Sequence, residues 1–153
     1  VLRGLLPWRS ADTMGRCAMT RRKIRLDLYG WEVMCFVGYD RGDAAEICDA
    51  LEAIGCRREA VREAYHHLTL GSAERGLTYS NVAERKSVVA VGASDAADVV
   101  NTTGHELLHV VAHICEKDGI DMLSEEPCYI LGQLCEELFK NLKEEDDGDN
   151  KGY

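Results

Sequence analysis

Residues 102–111 have the sequence TTGHELLHVV, and this stretch determines how the rest of the chain is interpreted. On an α-helix, His105 and His109 lie one turn apart on the same face, so both imidazoles can reach one metal ion. Glu106 lies about 100° around the helix from His105, within reach of a water molecule beside that ion. The pattern predicts a helix that holds a metal ion next to a carboxylate able to accept a proton.

The residues around this motif are apolar, which weakens the alternatives without a metal. Leu107 and Leu108 lie between the two histidines, Val110 and Val111 follow, and Glu106 is the one charged residue between positions 99 and 111. A core helix without a metal, as in a helical interaction protein, has to bury two imidazoles and a carboxylate without partners. Burial of that kind is costly. We therefore expect a metal site.

A catalytic zinc site takes three protein ligands and leaves a fourth position open. The predicted third ligand is Glu126, at the start of the last predicted helix, with Glu125 as its rival. Ordinary acids at a helix N-terminus, which favour the helix dipole, are the alternative for both. Tyr129 is the predicted donor that stabilises an oxyanion because it is near Glu126 in sequence, with His113 and Tyr79 as alternatives.

The other histidines are assigned structural roles. His66 and His67 are adjacent on a predicted helix and point in different directions, so they are expected to be partly exposed residues near the helix end. His113 is one turn beyond His109. Because positions 105 and 113 are about 12 Å apart along a helix, three histidines cannot share one ion, and His113 is expected to support the site or the core.

The composition restricts the classes of partner. With 153 residues and 46% hydrophobic residues, the chain is large enough for one domain with one core. Its net charge of -9 argues against nucleic-acid binding, and its apolar runs are too short to cross a bilayer. Seven cysteines without a C-x-x-C pair, together with no visible secretory signal, favour reduced thiols and a cytoplasmic location. The composition predicts no oligomeric state, and it is the motif from His105 to His109, typical of zinc proteases, that makes a peptide or protein substrate the expected partner.

Hydrophobic periodicity predicts an α+β domain. Alternating residues predict strands over 24–28 and 31–37, joined as a hairpin about Gly30, and two more strands over 77–80 and 86–91. Helical spacing predicts helices over 44–54, ending at Gly55, and over 57–68. The predicted metal-binding helix begins at an N-cap Ser94 and ends near Gly119, and the last helix begins at an N-cap Ser124. That last helix is expected to direct a set of residues to the core, namely Cys128, Ile130, Leu131, Leu134, Cys135 and Leu138.

The domain boundaries follow changes in composition. Residues 1–20 show no period and are predicted to be an N-terminal arm outside the fold, with Met14 or Met19 as a possible natural start. Residues 21–142 are the predicted domain, and residues 143–153 an acidic tail. The strand just before the metal-binding helix is expected to form the rim of a cleft and to bind an extended substrate as a further strand. The alternative is that this strand is an interior one.

The motif from His105 to His109, preceded by Thr102 and followed by an acid in a second helix, resembles the zincin metallopeptidases of the gluzincin type. The chain is similar in size to minimal gluzincins, which are single small catalytic domains. The resemblance covers residues 77–139 and extends to small proteins of gut-bacterial and phage genomes with the same motif. It implies a zincin-like α+β fold, in which a short mixed or antiparallel sheet packs on helices that include a central metal-binding helix.

The same resemblance implies a function and a set of roles. Zinc (Zn²⁺) would be held by His105, His109 and Glu126, and Glu106 would be the general base of a zinc-dependent peptidase. A zinc-binding regulatory or interaction module on the same fold, without turnover, is the alternative.

Overall fold

Residues 19–70 and 75–140 are described by a computed structural model of the protein. The predicted acidic tail and most of the predicted N-terminal arm lie outside these residues. The first strand begins at Thr20, and the side chain of Met19 is buried against the core. Residues 19 and 20 therefore belong to the fold, although the sequence analysis assigned them to the arm.

The first two strands form the predicted hairpin. β1 (Thr20–Leu26) pairs antiparallel with β2 (Trp31–Tyr39), with Leu26 opposite Trp31. A 3₁₀ turn over Asp27–Tyr29 joins them, and Gly30 closes the turn with a φ of 58°, which glycine adopts without strain. The alternation read from the sequence continues into the 3₁₀ turn, which is why the predicted strand ended two residues too late.

Two further strands complete one mixed sheet in the order β1-β2-β4-β3. β3 (Gly76–Asn81) is antiparallel to β4 (Lys86–Gly92), and β4 is parallel to β2. β4 is therefore an interior strand and β3 is an edge strand. The prediction that the strand before the long helix forms the rim of the cleft is wrong, because β4 is apolar on both faces and is covered on both.

In the described part of the chain, four helices cover the two faces of the sheet: α1 (Ala44–Ala53), α2 (Arg58–Leu70), α3 (Ala96–Asp118) and α4 (Glu126–Phe139). Side chains alternate across β4, so Val88 and Ala90 pack with α1 and α2, and Val89 and Val91 pack with α3 and α4. This arrangement confirms the predicted α+β class. In the part of the chain that is described, no helix combines the length and the apolar character needed to cross a membrane.

Glycines end the two helices for which the sequence predicted them. Gly55 follows α1 with a φ of 88°, and Gly119 caps α3 with a φ of 68°. The predicted N-cap of α3 is wrong by one residue. Asp95 caps the helix, because its carboxylate accepts the backbone N–H of Asp98 at 3.0 Å, and the hydroxyl of Ser94 donates to the Asp98 carboxylate instead.

The start of α4 also differs from the prediction. Glu125 is the N-cap residue, and Ser124 instead bonds through its hydroxyl to the carbonyl of Asp121 at 2.6 Å. Serine competes for nearby backbone groups in this way whenever a turn precedes a helix. The buried face of α4 starts at Pro127, so Cys128 is exposed rather than in the core as predicted.

Candidate metal and catalytic site

The helix α3 presents two different faces at the predicted motif. Leu107, Val110 and Val111 are fully buried against the sheet, whereas His105 and His109 lie on the exposed side. The two Nε2 atoms are 3.2 Å apart, and the rings meet edge to face with their centroids separated by 4.9 Å. The helical spacing therefore brings the two imidazoles together as the sequence predicted.

The distance between these nitrogens can be compared with the needs of a metal ion. Two Zn–N bonds of about 2.0–2.1 Å that meet at a tetrahedral angle place their nitrogens about 3.3–3.4 Å apart. The observed 3.2 Å between the Nε2 atoms of His105 and His109 is close to that value. The same distance lets one neutral imidazole donate a hydrogen bond to the other when no metal is bound. The pair fits zinc as two of its ligands.

The histidine pair lies at an open pocket between α3 and the edge strand β3. The cavity volume is about 380 Å³. Four of the five histidines of the protein line this pocket, together with the predicted base and three residues of β3: His67, Gly76, Leu77, Thr78, His105, Glu106, His109 and His113. The pocket therefore gathers imidazoles from two helices that are separate in sequence.

The carboxylate of Glu106 is held against β3. Its side chain is buried (7% exposed), and the hydroxyl of Thr78 lies 2.5 Å from its Oε2 and 3.1 Å from its backbone carbonyl oxygen. Gly76 leaves the space that the carboxylate occupies, because a Cβ at that position would come within 2.3 Å of Oε1. β3 thus fixes the orientation of Glu106 through Gly76 and Thr78, two residues whose roles the sequence does not predict.

The structure places the predicted third ligand elsewhere. The carboxylate of Glu126 accepts a hydrogen bond from Tyr29 Oη at 2.9 Å, and burial of the phenol together with this bond raises the pKa of Tyr29 to about 12. Burial and the nearby Glu126 also raise the pKa of the Cys115 thiol. Cys115 is six residues beyond His109, a rise of about 9 Å along α3. Glu126 therefore lies near a part of α3 that is separated from the histidine pair.

Within residues 19–70 and 75–140, no three His, Cys, Asp or Glu side chains are grouped so that they could hold a metal ion. The structure therefore brings His105 and His109 together without Glu126, and the ligand role of Glu126, or of its rival Glu125, stays a prediction.

The predicted oxyanion donors differ in their positions. Tyr129 is 71% exposed and is not among the residues that line the pocket. Tyr79 packs with the core on the opposite face of the sheet, because it alternates with Thr78 and Ser80 along β3. His113 does line the pocket, and its Nδ1 lies 2.8 Å from Ser80 Oγ. Of the three alternatives, the structure brings His113 to the histidine pair.

Two other histidines, His66 and His67, are expected to be partly exposed residues near a helix end. Both lie near the end of α2, where His66 is exposed and His67 is half-buried, in agreement with that expectation. The contact of His67 is new, because its Nε2 lies 3.2 Å from the carbonyl oxygen of Gly76. The alternation of Thr78 and Ser80 with Leu77 and Tyr79 was a usable indication that one face of β3 is polar. No pattern in the sequence indicated the position of His67, because its partner is an edge strand whose place depends on the whole sheet.

The pocket thus combines an adjacent pair of imidazoles, a buried and oriented carboxylate and a third imidazole on an open cavity. No protein-family model, no curated protein and no solved structure matches this chain.

Proposed function

We propose that the protein is a zinc-dependent peptidase in which His105 and His109 hold the ion and Glu106 is the general base. The observation that carries this proposal is the 3.2 Å separation of the two Nε2 atoms in the same pocket as the buried Glu106 carboxylate. A bound zinc ion would supply Lewis acidity and lower the pKa of a water molecule to about 7. The remaining chemistry is assigned to the side chains of the chain itself.

Glu106 accepts a proton from the attacking water and passes it to the leaving amine. Thr78 binds Oε2 of this carboxylate, which leaves Oε1, beside Gly76 in the pocket wall, for the exchange of protons. Because Thr78 and Gly76 already fix the side chain, little reorganisation is needed when the substrate arrives.

Among the described residues, no strand pairs with the edge of β3 that faces away from β4, and beyond Gly76, whose carbonyl oxygen lies near His67, this edge provides a place for an extended peptide. The carbonyl of Arg75 accepts the N–H of Gly92, so the backbone groups of odd-numbered residues of β3 face β4. By the alternation of an antiparallel ladder, the backbone N–H and C=O of Thr78 face away from β4. A peptide that pairs with Thr78 as an additional strand would lie alongside the pocket.

Zinc analysis tests the binding part of the proposal. Purified wild-type protein is expected to contain one zinc ion per chain, and His109→Ala is expected to contain almost none. His66→Ala, which removes an exposed histidine outside the pocket, is the matched control and should keep its zinc. Equal zinc contents in the wild type and in His109→Ala would contradict the proposal.

Cleavage of a denatured protein substrate tests the role of Glu106. Glu106→Gln is expected to retain zinc and to lose about 10²–10⁴-fold in rate, because the amide cannot accept the proton. Glu136→Gln changes an exposed residue of α4 and should leave the rate unchanged.

A zinc-binding module without turnover is the second candidate. It is favoured by the finding that the described residues bring two imidazoles, His105 and His109, within reach of one ion but form no group of three potential ligands. Zinc in the wild type, together with no cleavage in either the wild type or Glu106→Gln, would support this candidate over the peptidase. A wild type without zinc would exclude both and leave an interaction protein that binds no metal.

A further inference from the structure

A chain of hydrogen bonds connects the core with the pocket. Trp31 Nε1 lies 2.8 Å from Ser87 Oγ, Ser87 Oγ lies 2.7 Å from Ser80 Oγ, and Ser80 Oγ lies 2.8 Å from Nδ1 of His113. Trp31 and Ser87 are each only 1% exposed. The chain therefore begins in the dry interior between β2 and β4 and ends at an imidazole that lines the pocket.

The chemistry of its first member gives this chain a direction. An indole N–H can only donate, so Ser87 accepts from Trp31. Among the described residues, the hydroxyl of Ser80 is the one acceptor left for the hydrogen of Ser87. Ser80 in turn has one remaining partner in that part of the chain, Nδ1 of His113, to which it donates.

The opposite direction would leave a donor unpaired. If Nδ1 of His113 carried the ring proton, Ser80 would accept from both of its neighbours. Its own hydroxyl hydrogen would then have no acceptor among residues 19–70 and 75–140. A polar hydrogen without a partner in a half-buried position is unfavourable. The arrangement therefore favours a ring proton on the other nitrogen, Nε2.

We propose that Trp31, Ser87 and Ser80 keep the ring proton of His113 on Nε2, so that His113 presents an N–H donor to an oxygen of a ligand in the pocket. In a peptidase this oxygen is the carbonyl oxygen of the scissile bond, which gains negative charge during the attack. Nε2 of His113 has no partner within the described residues, so it is available for that contact. The oxyanion role rests on the proposed function, whereas the position of the proton does not.

The surroundings of His113 agree with an uncharged ring. Burial lowers the pKa of His113, and the neighbouring His109, one turn earlier on α3, lowers it further, while Glu116 opposes them without reversing the direction. A neutral ring has one protonated and one unprotonated nitrogen, so the hydrogen bond to Nδ1 decides which nitrogen carries the proton. Trp31, Ser87 and Ser80 are positioning residues, and His113 is the group that touches the ligand.

Long-range ¹H–¹⁵N NMR of the full chain as purified tests the position of the proton. We expect Nε2 of His113 to resonate as a protonated nitrogen and Nδ1 as an unprotonated acceptor, with the signal assigned by its loss in His113→Gln. Ser80→Ala removes the partner of Nδ1 and is expected to give shifts averaged between the two tautomers, and Ser87→Ala should move them in the same direction. Ser124→Ala removes an exposed hydroxyl outside this chain and should change nothing.

Two results would overturn the inference. One is a wild-type ring with its proton on Nδ1, a measurement that needs no variant. The other is a Ser80→Ala protein, or a Ser87→Ala protein if the first does not fold, in which the shifts of His113 are unchanged.

Substitutions of His113 test the contact with the substrate. His113→Leu removes the donor and is expected to lower kcat by about 10²–10³-fold with little change in KM, because the contact strengthens as charge develops. His113→Gln retains an N–H donor, so its kcat should be at least about tenfold higher than that of His113→Leu. Both variants should keep the zinc content of the wild type.

The outcomes of this second experiment are distinct. Full activity in His113→Leu would overturn the oxyanion role, and loss of zinc in both variants would overturn it by making His113 a ligand. Absence of cleavage in the wild type would overturn the oxyanion role together with the proposed function, and the NMR result would still decide the position of the proton.

Discussion

Two polar regions along α3, one at its C-terminal end and one at the pocket, differ in how many of their side-chain polar atoms have hydrogen-bond partners. At the C-terminal end, Arg85 donates to the carboxylate of Asp118 at 2.7 Å and to the backbone carbonyl of Tyr29 at 3.0 Å. Tyr29 donates to Glu126. Each donor in this region is paired with an acceptor. Together these bonds attach the end of α3 and the start of α4 to the hairpin.

The pocket region is different. Within the described residues, His105 and His109 form a hydrogen bond with each other alone, and His113 has one ring nitrogen without a partner. Side chains that are already paired stabilise the fold, whereas unpaired nitrogens on an open cavity remain available for a ligand. The comparison suggests that substitutions at the paired groups change stability, and that substitutions at the histidines change binding.

The largest expected effect contrasts two residues that are close together on α3. Leu107 is fully buried, so Leu107→Ala should lower the free energy of unfolding by about 2–5 kcal/mol. His105→Ala, at an exposed position, should change it by no more than about 0.5 kcal/mol but abolish zinc binding. Urea unfolding after chelation, with zinc analysis beforehand, measures both. A large stability loss in His105→Ala would break the comparison, because it would give the histidine a packing role.

The next effect concerns the space that β3 leaves for Glu106. Gly76→Ala should lower the free energy of unfolding by about 1–3 kcal/mol, because its Cβ would overlap the buried carboxylate. It should also lower the rate of cleavage, since Glu106 has to move. Gly132→Ala is the control: nothing lies within 4 Å of the added Cβ, and alanine favours helix α4, so this variant should be more stable by about 0.5–1 kcal/mol. A neutral Gly76→Ala would show that the carboxylate is not confined.

A smaller effect is expected from the hydroxyl that binds Glu106. Thr78→Val removes the donor to Oε2 and should lower the free energy of unfolding by about 1 kcal/mol, because water in the open pocket replaces part of the lost bond. Thr78→Ser keeps the hydroxyl and should retain most of the stability and activity. If the serine and valine variants are equally impaired, the methyl group rather than the hydroxyl of Thr78 matters.

The smallest effect tests the paired region. Glu126→Gln should lower the free energy of unfolding by at most about 1 kcal/mol and should leave the zinc content unchanged. Loss of zinc in this variant would instead show that the carboxylate leaves Tyr29 to become the third ligand.

The same variant has a defined dependence on pH. The pKa of Tyr29 is raised from 10.0 to about 12, so the neutral phenol favours the folded state below pH 10 and this contribution is lost as the pH rises towards 12. Removing the charge of Glu126 lowers this pKa but leaves the contribution of burial. The loss of stability over this interval should therefore be less steep in Glu126→Gln than in the wild type, as urea unfolding at alkaline pH would measure.

Local patterns in the sequence were sufficient for the elements and for the central pair. The 3.6-residue period put His105 and His109 on one face of α3, and glycines identified the ends of α1 and α3. Serines were less informative, because a serine before a helix can bond to a neighbouring turn instead of capping the helix, as Ser124 does. These features depend on contacts between residues that are near in sequence.

The rest of the site depends on contacts between distant residues. Glu106 meets Thr78 at a separation of 28 residues, and His113 meets Ser80 at a separation of 33. Both contacts require that β4 pairs in parallel with β2 and leaves β3 at the edge. Periodicity identifies which residues of a strand share a face, but it does not give the order of the strands. The roles of His67, Gly76 and Thr78 therefore became visible only with the assembled sheet.

The edge position of β3 has a consequence for inactivation. Within residues 19–70 and 75–140, this strand is bonded to the sheet on one side, through β4, yet it carries the groups that orient both Glu106 and His113. Detachment of β3 alone would free both side chains while α3 and the histidine pair stay in place. Heating should therefore abolish turnover before the domain melts, and amide exchange in β3 should begin at the temperature at which turnover is lost.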